Sequence, residues 1–276
     1  MSITAADVNK LRKQTGAGMM DCKKALAEAE GDMQKAIDIL RKKGQKVSAK
    51  RADRDAAEGV VFVHTNQDAT EGIAFALNCE TDFVAKNEEF VGLGQSILDA
   101  AISNKPANVD ALVGLEVEGR KISDLIMDFT GKIGEKIEVS SYVRQEGEQV
   151  VSYKHGDKIG VLVNLANTNG TDVTEAGKNV GMQIASMRPV AVDESGVDAD
   201  LVEREKQIGI EKARQEGKPE HILDKIANGF VKKFYKDNTL LNQEYVKDSK
   251  QTVKQYLNGV SNGLTVKDFA RLSIGR

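Results

Sequence analysis

Two cysteines, three histidines and 42 carboxylates are the groups of this 276-residue chain that could act as nucleophiles, general bases or metal ligands. A thiol needs a nearby base to become a nucleophile, and a metal needs several ligands converging at fixed spacing. The spacing here assembles neither. Cys22 and Cys79 lie far apart, and neither belongs to a C-x-x-C pair. His64, His155 and His221 are dispersed. There is no G-x-x-x-x-G-K-[ST] phosphate loop, "GAGMMD" and "GLGQSI" fail the G-x-G-x-x-G pattern, and no G-x-S-x-G elbow is present. Cys22 stands in a helical pattern beside Met19 and Met20 and reads as core, while Cys79 ends a strand and reads as packed. A Cys–His pair formed in space stays open. The expectation is a protein with no catalytic residue, no metal and no cofactor.

One stretch does not fit a passive reading. "ETDFVAKN" (Glu80–Asn87) follows the apolar run "GIAFALNC" and precedes the helical pattern "EEFVGLGQSILDAAI". A connection there should be polar, yet Phe83 and Val84 come directly after an acid. Either Asp82 caps a helix whose Phe83 enters the core, or the ring is held out for a partner. His155, at a hairpin tip in "SYKHGDKIG", poses a similar choice between a solvated turn residue and a partner contact near Tyr153.

Composition narrows the class. Hydrophobic residues make up 40%, enough for more than one core. A net charge of −3 does not mark the whole protein as a nucleic-acid binder. The start, "MSITAADVNKLRKQTG", lacks an apolar signal region, and no run approaches the roughly 18 apolar residues of a membrane span. A reducing, cytoplasmic setting without membrane contact fits the two isolated cysteines.

The elements that must position these residues follow from period and caps. Thr4 is a candidate N-cap for a helix striped by Val8 and Leu11, which stops at Gly16-Ala-Gly18. A second helix carries Cys22, Ala25, Leu26 and Ala29 and stops at Gly31. Asp32 caps a third, with Met33, Ala36, Ile37 and Leu40 on one face and Gly44 as its expected end. From Arg41 to Arg54 there are seven Lys/Arg and one acid, which reads as a solvated helical linker or an RNA tether. No aromatic lies in the run to stack on bases. Beyond Gly59 the period shortens. "GVVFVHTNQDATEGIAFALNC" reads as a hairpin, followed by a helix capped by Asn87. The same order recurs in "QVVSYKHGDKIGVLVNLAN", turning at Lys154–Asp157, and the helix after it. "DADLVEREKQIGIEKARQEGKPEHILDKIANGFVKKFYKD" reads as an inserted antiparallel helical hairpin. Its expected seam is Leu201 and Ile208 on one helix and Ile222, Ile226, Phe230 and Phe234 on the other. The fold class is therefore α+β: a three-helix unit over 1–54, a core subdomain over 55–140, and a similar subdomain over 141–276 with the hairpin at about 197–236.

Three stretches carry a family resemblance. "LRKQTGAGMMDCKKAL" (Leu11–Leu26), "NCETDFVAKNEEF" (Asn78–Phe90) and "SYKHGDKIGVLV" (Ser152–Val163) resemble the matching segments of the bacterial elongation factor Ts family. The resemblance covers almost the whole chain and includes the hairpin ending "GKPEHILDKIANGFVKKF". The head also resembles a ubiquitin-associated fold through Ala25-Leu26 and Gly31-Asp32 followed by Ala36-Ile37.

The resemblance implies a non-catalytic role, guanine-nucleotide exchange on elongation factor Tu. It implies that Thr81, Asp82, Phe83 and Val84 form the motif that dislodges Mg²⁺ from the partner, with Phe83 as an exposed wedge. It implies partner contacts at Leu11, Arg12, Met19 and Met20 in the head, at Ile133-Gly134 in "KIGEKI", and at His155. It leaves open a homodimer or a 2:2 complex. Many members carry a longer C-terminal module, and contacts made by it are expected to be absent or replaced after "DFARLSIGR". Two other readings remain: an adaptor acting through residues 1–54 alone, and a Cys-dependent enzyme.

Overall fold

The computed structural model describes residues 3–275. Helices α1 (Ala5–Thr15), α2 (Met19–Glu28) and α3 (Met33–Arg51) come first. Thr4 caps α1, accepting the Asp7 N–H at 3.2 Å while the Asp7 carboxylate accepts the Thr4 N–H at 3.0 Å. Asp32 caps α3 by accepting the Lys35 N–H at 3.0 Å. These bonds satisfy amides that have no partner within the helix. Val8, Leu11, Cys22, Ala25, Leu26, Ala29 and Ala36 form the buried core of this bundle.

Gly44 does not end α3. The helix runs through it to Arg51, taking most of the basic segment with it. The reason is packing: Gly44 is buried where α3 crosses a later helix, α7 (Ile122–Ile133). Local sequence cannot distinguish a glycine that stops a helix from one that lets a second helix approach.

Strands β1 (Glu58–Thr65) and β2 (Glu71–Cys79) follow, then α4 (Asp82–Ala85), α5 (Glu88–Asn104), α6 (Val109–Gly114), the short strands β3 (Glu116–Val117) and β4 (Arg120–Lys121), α7 (Ile122–Ile133) and β5 (Glu138–Glu146). One sheet has the order β1-β2-β5. The central strand β2 is buried along its whole length, which explains why "GIAFALNC" reads as an apolar run rather than an alternation. Asn87 caps α5, accepting the Glu89 N–H at 2.8 Å.

Next come β6 (Gln149–His155), β7 (Ile159–Ala166), α8 (Thr174–Met187), α9 (Ala199–Gln215), α10 (Glu220–Asn238), β8 (Glu244–Tyr245), β9 (Asp248–Thr252), α11 (Val253–Val260) and β10 (Thr265–Ser273). β6 and β7 are antiparallel with Tyr153 opposite Val161 and His155 opposite Ile159, and β10 completes a sheet ordered β10-β7-β6. Val151, Val161, Val163, Val180, Ile184, Leu240 and Leu257 share its core. The molecule is thus α+β.

The chain divides into two compact units. The first comprises residues up to Phe62, Phe75–Val143 and the stretch from Leu272; the second comprises Val63–Ala74 and Arg144–Arg271. In the second, α9 and α10 form the helical hairpin. Its seam differs from the expected one. The buried residues are Gly209 and Ala213 on α9 and Leu223 and Ala227 on α10, whereas Leu201, Ile208, Ile222, Ile226, Phe230 and Phe234 are half-buried. Two isolated helices enclose only a narrow strip, and small side chains fill it best; larger ones flank it. Phe230 lies over Gly209, with the Lys212 ammonium 5.6 Å from its ring centre.

Candidate functional site

In the first unit the corner between β2 and α5 is one turn of helix, α4. Thr81 is its N-cap, its Oγ1 accepting the Val84 N–H at 3.4 Å. Val84 and Ala85 are buried. Phe83, about 100° around the turn from Val84, points the other way and is 82% exposed. A phenyl ring left in water forgoes about 1.5–3 kcal/mol of burial. Of the two readings of Asp82–Phe83, the one with the ring in this chain's own core is thereby excluded. Asp82 pairs with Lys86 one turn on, at 2.8 Å, and its hydrogen bond raises the Lys86 ammonium's pKa. Both side chains are largely exposed, so the pair is weak and easily exchanged for another partner.

A turn this short does not hold itself together. Two carboxylates tie it down. Glu135 accepts the Thr81 N–H at 3.0 Å and the Thr81 hydroxyl at 2.7 Å. Glu80 accepts the Lys136 N–H at 2.7 Å and both oxygens take one nitrogen of the Arg51 guanidinium, at 3.0 and 2.8 Å. The two acids are exchanged: residue 80 binds residue 136, and residue 135 binds residue 81. Burial pushes the Glu80 carboxyl up, but the Lys136 N–H and the Arg51 guanidinium outweigh it, and its pKa lies below the ordinary carboxylate value. The thiol of Cys79 donates to the Thr81 carbonyl at 3.2 Å, so this cysteine is committed to the same corner.

The bracing places the motif beside the end of α7. Gly134 closes that helix with φ 80°, a left-handed conformation suited to glycine, and Ile133 before it is half-buried. Thr81–Val84 and Ile133-Gly134, distant in sequence, are therefore joined through Glu135. Lys132 also pairs with Glu89 of α5.

In the helical head, Arg12, Met19 and Met20 are exposed around the Gly16–Gly18 turn, the two methionines to 53% and 63%. Leu11 is not among them. It is fully buried at 0% in the bundle's own core and has no surface to offer a partner, which corrects the expectation of a contact there. The stripe that Leu11 shares with Val8 faces α2 and α3, whereas Arg12, one residue on, faces water. Cys22 is also core, with its thiol 3.6 Å from the Ala17 carbonyl.

His155 belongs to the second unit and is exposed at the β6–β7 turn, its Nδ1 3.1 Å from the Tyr153 hydroxyl. Among the described residues no three or more His, Cys, Asp or Glu side chains are grouped to hold a metal, and no helix is long and apolar enough to cross a membrane. Sequence reasoning missed Arg51, Glu80, Glu135 and Lys136. The only available signal was the acid adjoining each motif, Glu80 before Thr81 and Glu135 after Gly134.

Comparison with known proteins adds an independent line. The family described as Elongation factor TS matches residues 80–276. The chain is 54% identical over 275 residues to a protein named elongation factor Ts from Cytophaga hutchinsonii, covering 99% of each chain. It is 50% identical over 276 residues to the protein of that name from Amoebophilus asiaticus, covering 100% of each, and 42% identical over 284 residues to the one from Chlorobium phaeobacteroides, covering 99% of each.

Proposed function

Because this chain belongs to the elongation factor Ts family, we propose that it is the guanine-nucleotide exchange factor for elongation factor Tu in its own cytoplasm. It performs no bond chemistry. It binds the GTPase, disturbs the Mg²⁺ and phosphate site, and lets GDP leave so that GTP can enter. The observation that carries this reading is Phe83, 82% exposed on a capped and braced turn.

The energetics follow from linkage. A factor that binds the nucleotide-free GTPase better than the GDP form must weaken GDP by the same factor. Burying the Phe83 ring in the partner supplies about 1.5–3 kcal/mol, and each 1.4 kcal/mol is about tenfold in affinity. That energy is released only if the partner's elements part to admit the ring. One ring therefore yields roughly one to two decades, and the remainder comes from a wider interface. Asp82 would leave Lys86 and act near the partner's Mg²⁺, competing for or redirecting its ligands. Thr81 and Val84 hold the turn from either end.

The wider interface is read as follows. Residues 1–54 form a ubiquitin-associated-like docking module that grips a partner helix through Arg12, Met19 and Met20, with Leu11 supporting them from beneath. Ile133-Gly134 extends the contact around Phe83. His155, in a second core subdomain at 141–276, makes a separate one. A homodimer or 2:2 complex is compatible with the half-buried flanks of the helical hairpin.

The test is release of labelled GDP from the cognate elongation factor Tu, with and without this protein. The protein should accelerate release, and Phe83→Ala should lose about tenfold or more of that acceleration while unfolding at the same temperature. Equal acceleration by the variant refutes the wedge.

A further inference from the structure

The exchange reading gives Phe83 its task and leaves open what aims it. We propose that Glu135 is the positioning residue of the exchange motif: its carboxylate, fixed at the end of α7, sets the direction in which α4 presents Phe83. The inference rests on the function proposed above and goes beyond it by assigning a residue that touches neither nucleotide nor metal.

The geometry is a relay. The Thr81 hydroxyl has one proton to give, and it gives it to Glu135 Oε1 at 2.7 Å. Its oxygen is thereby turned to accept the Val84 N–H, the cap that starts α4. The other carboxylate oxygen takes the Thr81 N–H at 3.0 Å, so the backbone leading into the turn is fixed as well. Glu135 itself follows Gly134, whose N–H donates to Thr130 at 2.8 Å and closes α7. The line of support runs from α7 through Glu135 to Thr81, and from there to a turn too short to keep its own conformation. The reciprocal bonds of Glu80 to Lys136 and Arg51 hold the same two segments in register. Among the described residues no other side chain hydrogen-bonds the Thr81 N–H or hydroxyl.

The chemistry predicts which replacements fail. Alanine removes both acceptors. Glutamine keeps an acceptor oxygen for the Thr81 N–H but presents an NH₂ to the hydroxyl, which must then accept rather than donate, so the proton that turns the Thr81 oxygen toward the Val84 N–H loses its acceptor. An affinity contact would behave differently from a positioning residue. If Glu135 acts through Phe83, its loss slows nucleotide release from the complex already formed and leaves complex formation largely intact.

The experiment titrates wild type, Glu135→Ala, Glu135→Gln, Phe83→Ala and the Phe83→Ala/Glu135→Ala double variant against elongation factor Tu carrying labelled GDP. It reads the maximal release rate and the half-saturating concentration separately, with thermal unfolding measured for each protein. Glu135→Ala is expected to lower the maximal rate about tenfold and move the half-saturating concentration less than about twofold, with Glu135→Gln falling between it and wild type. In the Phe83→Ala background the same substitution should add nothing. An unchanged maximal rate, a loss confined to the half-saturating concentration, or a full additional loss on top of Phe83→Ala would each overturn the assignment. Should Glu135→Ala fail to fold, Glu135→Gln decides by the same criteria. If Phe83→Ala alone proves as fast as wild type, the wedge itself is refuted and the positioning role falls with it. If Phe83→Ala is slow and Glu135→Ala fast, only the positioning role is refuted.

Discussion

Gly131 of α7 meets Gly44 of α3 so closely that a methyl group on Gly131 would stand 2.6 Å from the Gly44 Cα. The contact is not symmetric. A methyl group on Gly44 would find the Met127 carbonyl oxygen at 3.6 Å and the Gly131 Cα at 3.8 Å, both ordinary packing distances. The crossing therefore depends on Gly131 far more than on Gly44.

The two alanine substitutions should separate in sign. Gly131→Ala is expected to destabilise the protein by about 1–3 kcal/mol, because backbone rather than a flexible side chain must give way. Gly44→Ala should be neutral or stabilising by up to about 1 kcal/mol, since alanine suits a helix interior better than glycine. Urea unfolding of both variants measures the difference. A Gly44→Ala protein weaker than Gly131→Ala would contradict the geometry.

The head should divide into support and surface in the same way. Leu11→Ala empties a fully buried position and is expected to cost about 2–5 kcal/mol of stability. Met19→Ala and Met20→Ala should shift stability by less than about 0.5 kcal/mol, yet each should weaken binding to elongation factor Tu. Calorimetric titration beside thermal melts separates the two effects. Loss of stability in the methionine variants would return those side chains to the core.

The Glu80 carboxyl should write itself into the pH dependence of stability. Its folded pKa lies below the unfolded value, about 4.3. Such a group contributes stability that is fully present above the unfolded value and is lost as pH falls through the folded one. Wild type should exceed Glu80→Gln in stability at pH 7. The gap should narrow as the pH drops below about 4.3 and close once the folded carboxyl is protonated. A gap independent of pH would show that the charge of Glu80 contributes nothing.

His155 sits exposed at the end of β6, its Nδ1 within hydrogen-bonding distance of the Tyr153 hydroxyl. His155→Ala should leave stability within about 0.5 kcal/mol of wild type. As a partner contact it should raise the half-saturating concentration in the exchange assay by an amount equivalent to about 1 kcal/mol, with the maximal rate unchanged. An unaltered titration would remove His155 from the interface.

Much of the architecture was legible because it is local. Thr4, Asp32 and Asn87 cap their helices through bonds that reach only two or three residues along the chain, so residue type and position suffice. The β6–β7 hairpin, whose turn lies at 156–158 inside β-paired Lys154 and His155 rather than over the expected Lys154–Asp157, and the apolar run of β2 are legible for the same reason. The motif Thr81–Val84 was readable as a family likeness, and the residues by themselves left its Phe83 undecided between core and surface.

Tertiary structure decided the rest. Gly44 looks like a helix end until α7 is packed against it. Leu11 and Arg12 are neighbours in sequence, and only the assembled bundle buries one and exposes the other. Thr81 and Glu135 are 54 residues apart, and nothing in their spacing says that one carboxylate holds both donors of the other residue. Sequence determines what the chain does within a turn or two, because those bonds are made wherever the segment goes. Which side of a residue meets protein and which meets water is settled by segments brought together from far along the chain, and for Phe83 that meeting leaves the ring outside.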